Sequence, residues 1–245
     1  MESRVTIPAL QQMKRDGHKI VGVVAWDFQI SSIADRAGVD LISVGDSVGV
    51  NLWGHATDAE VTVDEILVCC KAVRRGAKRA LVSCDIPGGT ARMGADAAVR
   101  AACRLAEEGG AEMVKVHGDP DMVRLIVRSG VPVFAEFHGD KATVEKLVEE
   151  AKRLHDAGAS LLDFRHSGPV AGPAVARAVP IPVIGGLGGG PWLDGRVRLA
   201  HTAIGYAARW IDSASETYGN TAKLSLDAFR ALIDDVRAGR QIKGG

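Results

Sequence analysis

Three short apolar stretches of the sequence each end on an aspartate: Gly22-Val-Val-Ala-Trp-Asp27, Leu41-Ile-Ser-Val-Gly-Asp46 and Ala80-Leu-Val-Ser-Cys-Asp85. Each stretch has the length and composition of a buried strand. In a parallel α/β barrel, residues at the carboxyl ends of the strands face the mouth, where such enzymes keep their active sites. Several carboxylates that converge there form a natural site for a hard divalent cation such as Mg²⁺. The sequence therefore predicts a parallel barrel with an acidic mouth.

Short apolar runs alternate with longer amphipathic segments along the rest of the chain. We predict further strands at 113–116, 132–136, 161–164 and 182–185, and helices at 62–75, 95–108, 120–129, 142–156, 170–178, 196–203 and 221–238. Repeated βα units with short connections favour a closed (β/α)8 TIM barrel over an open doubly wound sheet. The eighth strand is the least distinct, and we place it at 207–211. No linker or change of composition divides the chain, which predicts one domain over residues 1–245.

The composition excludes several classes of protein. The chain has 245 residues, and its 30 Lys and Arg balance its 30 Asp and Glu. Such a balance argues against broad binding to nucleic acid or to an anionic membrane, and the sequence has neither a membrane-spanning run nor a signal-peptide apolar region. The four cysteines form no CxxC pair, which predicts a reduced, cytoplasmic protein. Cys84 beside Asp85 is either a nucleophile or, more simply, a small buried strand residue.

Further polar side chains follow the predicted strands and are expected at the same mouth. They are Ser47 after Asp46, Lys115 with His117, Glu136 with His138, Arg165 with His166, and the glycine-rich loop Gly185–Gly190. Lysine and arginine can hold an anionic substrate group, and histidine can move protons near neutral pH. The mouth is therefore predicted to combine carboxylates, cations and imidazoles.

Some of these residues also have a purely structural interpretation. Asp27, a candidate for substrate binding, can instead cap the next helix. His138 and His166 can each be solvated loop histidines, whereas Lys115 lies inside an apolar strand, where burial without a partner is costly. The Gly185–Gly190 loop lacks the Lys-Ser/Thr ending of a Walker loop. It fits either a phosphate or carboxylate site of a barrel, or a turn that needs positive φ angles.

Several segments in order along the chain resemble the ketopantoate hydroxymethyltransferase family. They are Val44-Gly-Asp-Ser47, Val61-Thr-Val-Asp-Glu65, Ala72-Val-Arg-Arg-Gly-Ala77, Cys84-Asp-Ile-Pro87, Gly110-Ala-Glu-Met-Val-Lys115, Ile181-Pro-Val-Ile-Gly185 and Asp235-Val-Arg-Ala-Gly239. The wider relatives of this family include phosphoenolpyruvate mutase and isocitrate lyase. The resemblance runs nearly end to end, and it implies a metal-dependent barrel that acts on a small α-keto acid and assembles as a homo-oligomer.

The resemblance also implies roles for individual residues. Asp46 and Asp85 match the aspartates that bind Mg²⁺ in the family, and Ser47 and Lys115 match positions that contact the keto acid. In the family the metal stabilises an enolate of the keto acid. The enolate carbon then attacks a one-carbon unit delivered by methylenetetrahydrofolate. The implied cofactors are therefore Mg²⁺ and methylenetetrahydrofolate.

Other positions depart from the family pattern. The family's catalytic glutamate at the end of the sixth strand is replaced by Arg165, which stays protonated and cannot accept a proton. His117 occupies the position of a family glutamate, and Glu136 that of a family histidine. His117, Glu136 and His166 thus become the candidate proton-transfer residues. Arg165 becomes a candidate clamp for an additional carboxylate or phosphate.

The residues and the resemblance together predict an enzyme that forms a carbon–carbon bond. The closest version is an aldol-type addition of an enolised α-keto acid, of the hydroxymethyltransferase kind, to an altered substrate; synthesis of ketopantoate itself is the second version. A third reading is a lyase, hydrolase or mutase of the same superfamily. A diverged binding or structural protein is the fourth, and the retention of Asp46, Ser47, Asp85 and Lys115 argues against it.

Overall fold

The computed structural model describes residues 3–140, 142–212 and 217–244, and within them eight parallel strands close into a barrel in chain order. The strands are β1 (Ile20–Val24), β2 (Leu41–Val44), β3 (Leu81–Asp85), β4 (Met113–His117), β5 (Val133–His138), β6 (Leu161–Arg165), β7 (Val183–Gly185) and β8 (Gly195–Leu199). The prediction of a (β/α)8 TIM barrel is confirmed.

Helices connect most of the successive strands. They are α1 (Ile7–Arg15), α2 (Phe28–Ala37), α3 (Val63–Gly76), α4 (Gly88–Ala91), α5 (Ala95–Glu107), α6 (Pro120–Arg128), α7 (Val144–Asp156), α8 (Ala171–Ala178), α9 (Ala200–Ile204) and α10 (Thr221–Arg237). Short π and 3₁₀ turns at Gly49–Trp53, Asp58–Glu60 and Ala208–Trp210 complete the secondary structure of the described residues. No described helix is both long enough and apolar enough to cross a membrane.

Local sequence signals explain where the helices begin. Thr62 caps α3 by accepting a hydrogen bond from the backbone N–H of Glu65, whose carboxylate accepts one from the backbone N–H of Thr62. This reciprocal pair satisfies two N–H groups that would otherwise lack partners. Asp27 caps α2 by accepting from the backbone N–H of Ile30 at 2.9 Å. This hydrogen bond supports the interpretation of Asp27 as a helix cap, whereas its role in substrate binding stays a prediction.

An apolar layer fills the amino end of the barrel. Every strand contributes one buried residue to it: Ile20, Leu41, Leu81, Met113, Phe134, Leu161, Ile184 and Val197. Val5 and Leu10, which lie before and within α1, join the same cluster. The apolar residues thus close one end of the barrel, and the polar residues are left to the opposite, carboxyl end.

The position of the eighth strand was predicted wrongly. β8 is Gly195–Leu199, whereas residues 208–210 form a 3₁₀ turn, and the predicted helix at 196–203 is a strand over its first half. The described residues 186–194 connect β7 to β8 without an α-helix, so the alternation of strand and helix is interrupted there. Buried Gly195 and Val197 alternate with exposed Arg196, which is the period of a strand.

The chain packs as two compact units, Met1–Arg198 and Leu199–Gly245. The first contains the strands through Arg198. In the second, the rings of His201 and Tyr206 lie 5.2 Å apart, and α10 exposes several apolar side chains, Leu224 and Phe229 among them. The single domain expected over residues 1–245 stays a prediction.

Candidate active site

The pairing of the strands brings the predicted polar residues to one rim of the barrel. The register pairs Val44 with Cys84, Asp85 with Lys115, His117 with Glu136, Glu136 with Asp163, and His138 with Arg165. Because all strands are parallel, these residues lie at the carboxyl end of the barrel. The rim holds three groups, which we call the acidic pair (Asp46 and Asp85), the ion-pair cluster (Lys115, Glu136, Asp163 and Arg165) and the histidine row (His117, His138 and His166).

The acidic pair is held by the loops that follow β2 and β3. The backbone N–H of Gly88 donates to Asp46 Oδ2 at 3.0 Å and so ties the two loops together. A Cβ atom built on Gly45 would lie 3.5 Å from Asp85 Oδ2 and 3.0 Å from Ser47 Oγ. Glycine at this position therefore leaves room for both side chains, and Ser47, the predicted substrate ligand, lies beside the acidic pair.

The charges of the acidic pair are not balanced. Burial raises the pKa of Asp46, although the hydrogen bond from Gly88 opposes the shift. Burial and, less strongly, the charge of Asp46 raise the pKa of Asp85 to about 7, against the opposing charge of Lys115. Two neighbouring, partly buried carboxylates with raised pKa values fit a hard divalent cation, which would favour the ionised form of both.

Two buried serines extend the acidic pair into the barrel. Ser83 Oγ donates to Ser43 Oγ at 2.9 Å, and Ser43 Oγ lies 3.5 Å from Asp85 Oδ1. Both serines face the barrel interior, because each lies two residues after a member of the interior apolar layer, Leu41 or Leu81. The sequence offers a weak signal for them, because each is a polar residue inside an otherwise apolar strand.

The ion-pair cluster lies next to the acidic pair around the rim. Lys115 Nζ contacts Glu136 Oε2 at 2.7 Å and Asp163 Oδ2 at 2.9 Å. Arg165 Nη1 donates to the other oxygen of Glu136, Oε1, at 2.9 Å. Two cations and two carboxylates therefore balance one another. Lys115 is buried in an apolar strand, and these ion pairs offset the cost of burying its charge.

These contacts set the ionisation of the cluster. Burial lowers the pKa of Lys115, but the carboxylates of Asp163, Asp85 and Glu136 outweigh it and hold that pKa well above its usual value. Burial raises the pKa of Glu136, yet Lys115 and Arg165 together lower it to about 2. A carboxylate with so low a pKa is a weak base, which counts against Glu136 as the proton acceptor.

Asp163 is a site residue that the sequence analysis missed. It is only 2% exposed, and besides Lys115 it accepts from the backbone N–H of Gly186 at 2.8 Å. It thereby anchors the start of the glycine-rich loop, where a Cβ on Gly186 would lie 3.3 Å from its carboxylate. The sequence did carry a signal for Asp163. Like Lys115, it is a charged residue inside an apolar strand, here Leu161–Arg165, where burial without a partner is costly.

The histidine row runs along the outer rim beside the cluster. The rings of His117 and His138 lie 5.8 Å apart, and those of His138 and His166 lie 6.3 Å apart and nearly parallel. His138 Nε2 lies 3.2 Å from Glu136 Oε1, which joins the row to the ion-pair cluster. The histidine row therefore brings two of the proton-transfer candidates, His117 and His166, to either side of His138.

Two sets of side chains in the described residues have metal-ligand spacing. The first is His117, Glu136 and His138, and the second is His138, Asp140 and His166; in each set the ligand atoms lie within 4.8 Å of one another. The acidic pair offers two carboxylates rather than three ligands, so an ion there would complete its shell with substrate or water oxygens. Both kinds of site lie on the same rim.

Comparison with known proteins identifies the family. The sequence model of the ketopantoate hydroxymethyltransferase family matches residues 4–139 and 136–241. The 3-methyl-2-oxobutanoate hydroxymethyltransferase of Moorella thermoacetica is 35% identical, over 97% of this chain and 95% of that protein. The chain belongs to the ketopantoate hydroxymethyltransferase family. The prediction of a hydroxymethyltransferase-like enzyme is confirmed at the level of this family of transferases.

Solved structures place this ketopantoate hydroxymethyltransferase family member in a wider group of folds. A 2,3-dimethylmalate lyase of the phosphoenolpyruvate mutase/isocitrate lyase superfamily superimposes with a TM-score of 0.63 at 14% identity, covering 99% of each chain. A phosphonopyruvate hydrolase in complex with oxalate and Mg²⁺ gives a TM-score of 0.63 at 15% identity, covering 96% of this chain and 88% of its own. At these identities the likeness shows the fold alone.

Proposed function

We propose that this family member forms a carbon–carbon bond by adding an enolised α-keto acid to a one-carbon unit, with Mg²⁺ held by Asp46 and Asp85. The observation that carries the proposal is the acidic pair, where two partly buried carboxylates with raised pKa values lie beside Ser47. The name of the Moorella relative supports the reaction class, and the Mg²⁺ and oxalate held by the phosphonopyruvate hydrolase support a metal and a small oxoacid.

The residues of the acidic pair would hold and orient the ion. Gly88 occupies Asp46 Oδ2 and so leaves Oδ1 for a cation, and Ser43 lies near Asp85 Oδ1 and so leaves Oδ2. Bound Mg²⁺ would supply positive charge that makes the carbon next to the keto group more acidic. Ser47 Oγ, beside the same point, would donate a hydrogen bond to an oxygen of the substrate.

In this proposal the ion-pair cluster positions the substrate rather than accepting its proton. Lys115 stays cationic, and its contact with Glu136 and Asp163 fixes its ammonium group next to the acidic pair. It would therefore offer a fixed positive charge to a developing negative charge of the substrate. Glu136 is the less suitable of the candidate bases, because its pKa is about 2.

The proton acceptor that the proposal favours is His117. It lies two residues after Lys115 on the same strand, and residues so spaced share one face of a strand. Its side chain therefore extends from Lys115 towards the open mouth, where a substrate carbon would lie. His166, at the far end of the histidine row, is the other candidate.

Arg165 indicates an additional anionic group on the substrate. Its Nη1 is engaged by Glu136, but its Nε is buried and has no hydrogen-bond partner among the described residues. A buried donor of this kind is costly to leave unpaired, and guanidinium suits a carboxylate or phosphate. The proposed substrate is therefore an α-keto acid with a second acidic group, and methylenetetrahydrofolate is the proposed one-carbon donor. A homo-oligomer is the proposed assembly.

Exchange of substrate protons tests the proposed function directly. The purified enzyme is incubated with Mg²⁺ in D₂O with α-ketoisovalerate or with an α-keto dicarboxylic acid, and loss of the signal of the proton next to the keto group is followed by NMR. Mg²⁺-dependent exchange is expected, faster with the dicarboxylic acid, and the His117→Asn variant should lose it. Absence of exchange with a panel of keto acids, or full exchange in that variant, would refute the proposal or the role of His117, respectively.

A lyase that cleaves a hydroxy dicarboxylic acid is the second candidate. The unpartnered Nε of Arg165 favours it, because such a substrate brings a second carboxylate. Release of a keto acid from a branched hydroxy dicarboxylate, without any one-carbon donor, would select this candidate. No release, together with donor-dependent consumption of a keto acid, would select the first.

A further inference from the structure

A second cluster of metal-ligating side chains lies on the rim, apart from the acidic pair. His138, at the end of β5, and Asp140, in the following loop, lie close to His166, which follows β6. Their ligand atoms lie within 4.8 Å of one another. Two imidazoles and one carboxylate form a donor set that binds borderline ions such as Zn²⁺, Co²⁺ or Fe²⁺, whereas Mg²⁺ prefers oxygen ligands alone.

His138 is already oriented as a metal ligand would be. Its Nε2 lies 3.2 Å from Glu136 Oε1, which leaves Nδ1 for another partner. Metal-ligating histidines generally donate their other ring N–H to a carboxylate, which fixes both the tautomer and the direction of the ring. Glu136 is itself fixed by ion pairs with Lys115 at 2.7 Å and Arg165 at 2.9 Å. The carboxylate behind His138 is therefore rigid.

His166 is held in an unusual backbone conformation. Among the described residues it is the one non-glycine with positive φ, at 52°. Two glycines make room for it: a Cβ on Gly188 would lie 2.7 Å from His166 Nδ1, and a Cβ on Gly139 would lie 2.3 Å from its carbonyl oxygen. Non-glycine residues in this conformation are strained and concentrate at functional sites. This strained backbone conformation places the imidazole of His166 beside that of His138.

We propose that His138, Asp140 and His166 form a binding site for a divalent transition ion, of which Zn²⁺ is the simplest example, with Glu136 as the residue that positions His138. The site would join the loops after β5 and β6 and leave the remaining coordination positions to water or substrate. The other set, His117, Glu136 and His138, suits a cation less. Lys115 and Arg165 already neutralise Glu136, and a further cation would lie beside two positive charges.

Titration of the metal-stripped, full-length enzyme with Zn²⁺ tests the proposal, and Co²⁺ absorption in the visible range reports nitrogen ligands. One ion per chain is expected. His138→Gln, Asp140→Asn and His166→Gln should each weaken Zn²⁺ binding by about tenfold or more, since even the loss of a group behind a ligand costs that much. His117→Gln and the variant of exposed, distant His18, His18→Gln, should bind as the wild type does. Circular dichroism confirms that each variant is folded.

The outcomes separate this site from the acidic pair. Asp46→Asn should abolish binding of Mg²⁺ and the proton exchange of the proposed function, while it leaves Zn²⁺ binding unchanged. Absence of stoichiometric Zn²⁺ binding would overturn the inference and leave the proposed function intact. Loss of binding in His117→Gln with full binding in His166→Gln would overturn it too, because the ion would then lie on the other set. Equal weakening in His18→Gln would indicate adventitious surface binding and would also overturn it.

Discussion

The acidic pair and the ion-pair cluster are neighbours on one rim, yet they treat buried charge in opposite ways. In the cluster, Lys115 and Arg165 balance Glu136 and Asp163 within 2.7 to 2.9 Å, so every charge has a partner. In the acidic pair, burial raises the pKa of both Asp46 and Asp85, Asp46 adds to the shift of Asp85, and the charge of Lys115 opposes both shifts without cancelling them. The charges of the cluster are therefore balanced without a ligand, whereas those of the acidic pair are balanced only with a cation.

This difference parallels the expectations that the family resemblance raised for the two regions. The positions that the resemblance assigns to the metal are retained in Asp46 and Asp85, while the positions assigned to proton transfer carry Arg165, His117 and Glu136. Arg165 and Glu136 form an ion pair with each other, whereas the ring of His117 lies beside that of His138. Arg165 and Glu136 therefore depend on each other, since their ion pair offsets the cost of burying either charge.

Removal of one charge from the acidic pair should have the largest effect on activity. Asp85→Asn is expected to lower Mg²⁺-dependent proton exchange by at least about 10²-fold, because electrostatic stabilisation of the developing charge is usually the largest catalytic contribution. The rate of exchange in D₂O measures it. The matched control Asp121→Asn, at a residue whose side chain is 86% exposed, should retain wild-type exchange. A wild-type rate of exchange in Asp85→Asn would show that activity does not need the charge of the acidic pair.

Removal of one charge from the cluster should act on stability. Lys115→Met leaves Glu136 and Asp163 buried beside a single remaining cation, and it should lower the free energy of unfolding by about 3–5 kcal/mol. Urea denaturation measures the change. The surface control Lys223→Met breaks an exposed pair with Asp227 and should cost only about 0.3–0.5 kcal/mol. Similar losses in both variants would show that the cluster is not a buried, mutually dependent network.

Glu136 should make the stability of the protein depend on acid. Its pKa is about 2 in the folded protein, below the ordinary 4.5. A lowered folded pKa gives stability that is fully present above pH 4.5 and is lost as the pH falls from about 4.5 to about 2. The Glu136→Gln variant lacks this proton uptake, so its stability should change less over that window, by roughly 2–3 kcal/mol. Denaturation at pH 5 and pH 3 compares the two; parallel curves would contradict the ion pairing of Glu136.

The pKa shift of Asp85 has the opposite direction, and it should make the metal affinity of the acidic pair fall with acid already near neutral pH. Since the pKa of Asp85 is raised to about 7, this carboxyl is largely protonated below pH 7, and Mg²⁺ must displace the proton. The apparent affinity for Mg²⁺ should fall by about tenfold per pH unit below pH 7 and level off above it. Titration calorimetry between pH 6 and pH 8 measures this dependence. A constant affinity over this range would mean that Asp85 is already ionised before the metal binds.

The sequence predicted most of the barrel because each strand carries its own local signal. Alternating apolar runs, the capping box of Thr62 and Glu65, and the aspartates after β2 and within β3 all act over a few residues. β8 was missed because the step from β7 to β8 has no helix and because Gly195 is required by a tertiary contact, where a Cβ would lie 2.2 Å from the carbonyl oxygen of Ile20. No local pattern reports such a contact.

The residues of the candidate site were likewise predicted only in part. The sequence identified Asp46, Asp85 and Lys115 from their positions at strand ends, and the structure brings all three to the rim. The partners of Lys115 were out of reach, because the pairing with Glu136 and Asp163 depends on the register of three strands. The low pKa of Glu136 follows from that pairing, so the sequence alone could not exclude Glu136 as a proton acceptor.

Electron paramagnetic resonance of Mn²⁺, used in place of Mg²⁺, tests the claim that the acidic pair holds a cation. The metal-stripped enzyme is titrated at pH 8, and free Mn²⁺ is read from its signal. The account predicts one hard-ion site per chain that Mg²⁺ competes for, that Asp46→Asn and Asp85→Asn each abolish, and that His166→Gln retains. Undiminished, Mg²⁺-sensitive binding in both aspartate variants would contradict it.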